Sequence, residues 1–246
     1  MTATNTVSVH GREVSIPEGA AHIDADEHEV FAFNQRLAEL SEEHDTIVVH
    51  NPRARHNLGV GLTRDVHVIF LGGVGYYCGG FNNGASIEIH GNAGWGLGEA
   101  MAVGTIVVHG NTAWAAGASM RGGTIVIHGD GGPRTGVAQK GGSILVEGSI
   151  GFLSGFMAHR GKLVALGGAG DAVGTSLYEG RVFVAGPVVA LGADAIEVDP
   201  TDDELAEIAA ELAEHGLPLE QPLRKIVAEG RLWHFDAQDA AIWRTV

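Results

Sequence analysis

The chain has 246 residues, including 38 glycines, and a formal net charge of −15 from 30 acidic residues against 15 lysines and arginines. A surface of that sign repels phosphate groups, which disfavours nucleic acid and anionic membranes as partners. The single cysteine, Cys78, excludes an internal disulfide, and it excludes an iron–sulfur cluster held by this chain alone, since such clusters take about four thiolates. No apolar run approaches the roughly 20 residues of a membrane span, and no signal-peptide pattern is present, so a cytoplasmic protein is predicted.

Residues 1–65 are expected to form a cap on a central repeat region. Two short alternating runs at 7–9 and 14–16 predict a hairpin. Apolar residues at helical spacing predict a helix over about 26–41, with Asp24 as a possible N-cap, and this helix would seal the open end of a solenoid.

The segment 51–62 follows a short predicted strand at 47–49 and looks too irregular to belong to a repeat. It is dense in basic and turn residues. One interpretation is contact with an anionic ligand or an acidic partner, and the favoured interpretation is a simple lead-in loop.

From residue 66 to 195 one pattern recurs every nineteen residues, namely an apolar triplet that runs into glycine. The seven triplets begin at Val68, Ile87, Ile106, Ile125, Ile144, Leu163 and Val182. A short fixed period with recurring glycines is typical of a solenoid, so an all-β parallel β-helix of about seven coils is predicted. Nineteen is not a multiple of six, which favours a right-handed coil over a left-handed hexapeptide helix.

Glycines recur with the same period at two further places in the coil. One column contains Gly79, Gly98, Gly117, Gly136, Gly155 and Gly174, and the other contains Gly104, Gly123, Gly142, Gly161 and Gly180. These structural glycines are expected at corners that need a positive φ or that have no room for a Cβ.

Side chains alternate across a strand, so the first and third residues of each triplet should face the core and the middle residue should face outward. The outward column reads Ile69, Glu88, Val107, Val126, Leu145, Val164 and Phe183, with one charge. Such an apolar stripe would not be left in water, and either the terminal helices or another polypeptide should cover it. The candidate partner interface is Val107, Val126, Leu145, Val164 and Phe183.

His90, His109 and His128 occupy one column in three successive coils, about 4.8 Å apart. Three imidazoles in a row could bind a metal. Because Glu147 continues the column, an outward polar ladder without metal is favoured, and His109→Gln is expected to leave the metal content unchanged. Cys78 is expected to be buried in a coil corner.

The glycine-rich stretch 91–98 is followed by another β coil and not by a helix, so it is not expected to bind a dinucleotide. No catalytic, cofactor-binding or metal-binding residue is predicted in this chain.

Residues 196–246 should form a C-terminal helix and a docking tail. Thr201 with Glu204 three residues later predicts a capping box, and Gly216 supplies the stop. The tail, which contains Trp233 and Trp243, is expected to dock on the rod or to reach a neighbouring chain.

Several segments closely resemble the GXGXG domain of the glutamate synthase large subunit. They are residues 72–80, 91–99, 154–158 and 191–194, and residues 51–52 and 56–62 resemble the lead-in of that domain's stand-alone form. The stand-alone form is a subunit of methylamine–glutamate N-methyltransferase (N-methylglutamate synthase) and of related glutamate-synthase-like complexes. The resemblance spans roughly residues 47–235, with a departure at 224–228, which is less basic and less aromatic.

The resemblance implies a right-handed β-helix and a division of labour between subunits. A class II amidotransferase subunit would release ammonia from glutamine, and a synthase subunit would hold FMN and an iron–sulfur cluster. This chain would be the non-catalytic scaffold between them. The alternatives are a protein similar to the GXGXG-type subunit of a formylmethanofuran dehydrogenase/formyltransferase complex and, disfavoured by the period, a hexapeptide-repeat acyltransferase.

Overall fold

The computed structural model describes residues 4–230. The chain starts with the predicted hairpin, formed by β1 (Thr4–Val9) and β2 (Arg12–Pro17) in antiparallel register. His10 and Gly11 make the turn with φ of 50° and 79°, as a two-residue turn that matches the strand twist requires.

One large sheet organises the rest of the described chain. Its strands are β3 (Ala21–Asp24), β4 (Thr46–His50), β5 (His67–Phe70), β6 (Asn83–Ile89), β7 (Val103–Val108), β8 (Thr124–Ile127), β9 (Lys140–Val146), β10 (Arg160–Ala165), β11 (Arg181–Val184), β12 (Ala195–Val198) and β13 (Arg224–Ala228). From β3 to β11 they lie side by side in chain order and run parallel. Ile87 pairs with Ile106, and Ile106 with Ile125, so neighbouring strands are one coil apart. The predicted all-β parallel solenoid is confirmed.

The core follows the predicted alternation. Ile106 and Val108, the first and third residues of their triplet, are fully buried, and their counterparts stack in the coils above and below. The glycine column beside them is needed for both expected reasons, namely a positive φ and a lack of room for a Cβ. At Gly79 φ is +64°, and a Cβ there would lie 2.8 Å from Ile106 Cδ1.

Non-glycine residues also adopt left-handed backbone at the coil corners. Tyr77 and Phe81 flank Gly79 with φ of 58° and 56°, and residues one coil apart repeat the pattern. Sequence inspection missed these positions because no glycine marks them.

The N-terminal region forms part of the sheet and is not a separate cap. Helix α1 (Val30–Leu40) connects β3 to β4, and it buries Phe33 and Leu37 in the main core. The helix begins later than predicted, because Asp24 caps a short 3₁₀ turn, Ala25–Glu27, that precedes it. The parallel sheet thus starts at β3, well before residue 66.

Residues 51–62 adopt coil geometry, which corrects the expectation of an irregular lead-in. The amides of Ala54, Asn57 and Gly61 donate to the carbonyls of residues 73, 76 and 80, each nineteen residues ahead. Arg53 lies 2.9 Å from Asp26 in an ion pair. At least this basic residue of the segment is paired within the chain.

The C-terminal region closes the other end of the sheet. Helix α2 (Asp202–Glu214) has the predicted capping box between Thr201 and Glu204. β13 then turns back and pairs antiparallel with both β11 and β12. Trp233 and Trp243 of the predicted docking tail lie outside the described residues. Neither helix of residues 4–230 has the length and apolarity needed to cross a bilayer.

Candidate functional site

The outward face of the sheet divides into three parts. At the N-terminal end, Ile69 is covered by Val9 and Val14 of the hairpin. At the C-terminal end, helix α2 and the segment after it cover the sheet. Between these two lids lies a polar gap centred on Glu88.

Helix α2 packs on most of the surface that was predicted from the sequence to bind a partner. Val126, Leu145, Val164 and Phe183 are fully buried, packed against Ile208, Leu212, Leu217 and Leu223, and Val107 is half-buried at the margin. The proposed interface of Val107, Val126, Leu145, Val164 and Phe183 is therefore wrong as a partner surface. Of the two alternatives for covering the stripe, the chain's own helix is the one that the structure shows.

Ion pairs fix α2 along its border with the sheet. Lys162 Nζ lies 2.6 Å from Glu207 Oε1 and 2.7 Å from Glu211 Oε2, and its side chain is only 8% exposed. Glu204 meets Lys225 at 2.7 Å. Burial alone would raise the pKa of Glu204, but hydrogen bonds from Lys225, from the Thr201 amide and from Arg181 lower it to about 2.

The polar gap contains a compact group that we name the Glu88 cluster: Glu88, His67, His90 and His109. Glu88 Oε1 accepts a hydrogen bond at 2.7 Å from His109 Nε2 and lies 3.1 Å from His90 Nε2, while Oε2 lies 3.4 Å from His67 Nε2. The hydrogen bond to His109, followed by the contacts to His67 and His90, lowers the pKa of Glu88 far below its usual range. The carboxylate is therefore ionised at neutral pH.

His90 is the buried member of this cluster. Its side chain is 7% exposed, and within residues 4–230 neither ring nitrogen makes a hydrogen bond, despite the proximity of Nε2 to Glu88. The His90 ring stacks on His109 with centroids 4.5 Å apart, and His109 stacks on His128 at 5.1 Å. His128 Nδ1 lies 3.0 Å from Glu147 Oε2, so His128 pairs with Glu147 and not with Glu88.

A cleft of about 590 Å³ opens beside the cluster. His90 and His109 line one side, and His10 and Arg12 from the hairpin line another. Arg12 donates to the carbonyl of His109, which ties the hairpin to one member of the cluster, directly after β7.

The sequence placed the histidine column correctly but did not connect it to Glu88. The available signal was the spacing of two residues between Glu88 and His90, because residues i and i+2 on a strand share a face. Glu88 was also the one charge in an otherwise apolar column.

An exposed row of stacked rings runs along a coil corner, and we name it the aromatic ladder: Tyr76, Trp95 and Trp114. The centroids are 5.3 Å apart between Tyr76 and Trp95 and 5.7 Å apart between the two tryptophans. The three side chains remain 39–47% exposed. The ladder was not predicted from the sequence, although its nineteen-residue spacing is visible there.

Cys78 is fully buried, as predicted, and burial raises the pKa of its thiol well above its usual range. Residues 91–98 form turns that lead into β7, so no helix N-terminus is available there for a pyrophosphate.

Comparison with known proteins gives a partial match. The chain is 39% identical over 74 residues to Protein GlxC of Rhizobium meliloti, and the match covers 29% of this chain and 32% of that protein. The chain thus matches about a third of the length of this curated relative. No family model matches.

Proposed function

We propose that this chain is a non-catalytic scaffold subunit of a glutamate-synthase-like complex, of the N-methylglutamate synthase type, which acts on glutamate and an amine. It would join a class II amidotransferase subunit to a synthase subunit that holds FMN and an iron–sulfur cluster, in the cytoplasm. The resemblance of residues 72–80, 91–99 and 191–194 to the GXGXG domain supports this proposal. The similarity to Protein GlxC is consistent with it.

The observation that carries the scaffold role is the aromatic ladder. Trp and Tyr are enriched among the residues that dominate protein interfaces, because they bury large areas at low conformational cost. Three half-exposed rings on three successive coils, the first two stacked and the third tilted by 30°, form an apolar surface whose spacing the solenoid fixes. Because α2 covers the apolar part of the outward face, this corner is where we place the partner contact.

The assignment of the chemistry to partner subunits follows from the residues of this chain. Ammonia release by a class II amidotransferase uses a cysteine nucleophile, whereas the one cysteine of this sequence, Cys78, is buried. A single cysteine also falls short of the roughly four thiolates of an iron–sulfur cluster.

The test is co-expression of the chain with the amidotransferase-type and synthase-type subunits from the same source. We compare the wild type with the double variant Trp95→Ala, Trp114→Ala for co-purification and for amine-dependent turnover. Truncation of two interface tryptophans commonly costs more than about 2 kcal/mol of binding, so we expect the variant to lose at least one partner. Thermal unfolding of the isolated chain should change little, because the rings are half-exposed.

Phe31→Ala is the matched control, since Phe31 is an exposed aromatic residue on α1 that takes no part in the ring contacts of the ladder. It should leave assembly intact. Full assembly of the folded double variant would place the interface elsewhere. Turnover of glutamine or glutamate by the wild-type chain alone would refute the scaffold role.

A further inference from the structure

We propose that Glu88, His90 and His109 form a binding site for a divalent transition-metal ion of the Zn²⁺ class. This inference is independent of the proposed function. It also goes against the expectation of a metal-free ladder, and the difference lies in Glu88, which the histidine column alone does not reveal.

The first observation is the ligand set and its geometry. One oxygen of Glu88 and one nitrogen from each histidine lie within 4.8 Å of one another. Two imidazoles and one carboxylate are donors that suit Zn²⁺. Ligand atoms about 2.1 Å from a tetrahedral ion lie roughly 3.4 Å apart, so the present separations of 2.7 Å and 3.1 Å from Glu88 Oε1 require only a small outward shift.

The second observation is the state of His90. An imidazole that is only 7% exposed should have hydrogen-bond partners, because a buried polar group without one costs free energy. Within residues 4–230, both of its ring nitrogens lack a hydrogen bond. An ion bound at Nε2 would satisfy this nitrogen and would explain why an imidazole, and not an apolar residue, occupies the buried position.

The surroundings suit a bound ion. His67 lies 3.4 Å from Glu88 Oε2, the oxygen that faces away from the two other histidines, and such outer partners orient the carboxylate ligands of metal sites. A cleft lined by His90 and His109 adjoins these ligands, and a fourth ligand to the ion would have to enter from that side. Three protein ligands with one accessible position are the arrangement of an open zinc site and not of a closed structural one.

The test measures metal affinity in the full-length chain. After treatment with a chelator, the wild type is titrated with Zn²⁺ against a competing chromophoric chelator, and Co²⁺ is added separately to record the visible absorption of a tetrahedral site. We expect one equivalent of either ion. Glu88→Gln and His109→Gln should each weaken Zn²⁺ binding at least tenfold and remove the Co²⁺ absorption.

His128→Gln is the matched control. His128 belongs to the same column and stacks on His109, but it pairs with Glu147 and lies outside the ligand set. It should retain wild-type affinity. Circular dichroism melting establishes that each variant is folded.

Two results would overturn the proposal. One is the absence of stoichiometric Zn²⁺ binding by the wild type. The other is an equal loss of affinity in His128→Gln and His109→Gln, which would indicate diffuse binding along the histidine column.

Discussion

Two of the three parts of the outward face, the part under α2 and the polar gap, use the same strand position in opposite ways. In β8 to β11 the middle residue of each triplet is apolar and lies under α2, as Val126 and Val164 do. In β6 the same position is Glu88, which three histidines surround. Both parts belong to one parallel sheet with the same nineteen-residue period, and the cover stops where the side chain at this position changes from apolar to charged.

A free-energy comparison explains why the cover stops where it does. Each apolar side chain that α2 removes from water contributes about 1.5–3 kcal/mol. Extending the helix cover over Glu88 would instead desolvate an ionised carboxylate, which costs several kcal/mol unless every lone pair is satisfied. Val107, half-buried between the two parts, marks the border.

The largest expected effect comes from disrupting the hydrophobic core, which supports both the part under α2 and the polar gap. Ile127 faces the core between neighbouring coils and is fully buried. In Ile127→Asp an unpaired carboxylate would sit among apolar side chains, at a cost of several kcal/mol, and the adjacent coils would lose their pairing template. We expect the cooperative thermal transition to disappear. Unchanged melting of the purified variant would contradict the assigned core.

A charge beneath the helix should have the next largest effect. Val126→Lys places an ammonium under α2, where it displaces apolar contacts with the helix. We expect a loss of about 2–4 kcal/mol, with α2 released from a sheet that stays folded. Hydrogen exchange should show lost protection at residues 202–214 and retained protection in β6 and β7.

Val107→Lys is the control for this variant, because Val107 is half-buried at the margin of the cover and a lysine there can reach water. Val107→Lys should lower the free energy of unfolding by clearly less than Val126→Lys does. Equal effects from the two lysines would mean that α2 does not seal the face as described.

Acidification should weaken the ion pairs that hold α2 on the sheet. The pKa of Glu204 is about 2 in the folded chain against an ordinary 4.5, so its ionised form stabilises the native state above about pH 4.5. That contribution is lost as the pH falls from about 4.5 towards 2. Hydrogen bonding to Lys162 lowers the pKa of Glu207 in the same direction.

The measurement is the melting temperature at pH 6 and at pH 3, for the wild type and for Glu204→Gln. The variant has no carboxylate to protonate at this position, so its drop between the two pH values should be smaller. An identical drop would show that the ion pairs of Glu204 do not contribute to the acid sensitivity.

Periodicity made much of the fold predictable from sequence. The nineteen-residue repeat predicts the strand positions, the burial of Ile106 and Val108 in the core, and the glycine corner at Gly79. The repeat does not predict which element packs on the outward column. The answer depends on where α2 docks. The sequence of α2 shows an apolar stripe, but it does not specify the surface on which that stripe packs.

The candidate site was harder to predict because it joins residues at different positions in the repeat. His90 and His109 share a column, but Glu88 and His67 come from other columns, so no single periodic pattern contains all four. Reading residues down one column at a time separates the carboxylate from its histidines. Strand alternation, applied across neighbouring coils, brings them together.

The smallest expected effect belongs to the outer end of the histidine column. His128 and Glu147 form a partly exposed pair at 3.0 Å, and such pairs are typically worth less than about 1 kcal/mol. His128→Gln should therefore shift the free energy of unfolding by less than that amount, measured by urea denaturation at neutral pH. A glutamine amide can still reach Glu147. A loss of several kcal/mol would instead mean that the stacked imidazoles stabilise the coils as a unit, and the polar part of the outward face would then resemble the sealed part in its contribution to folding.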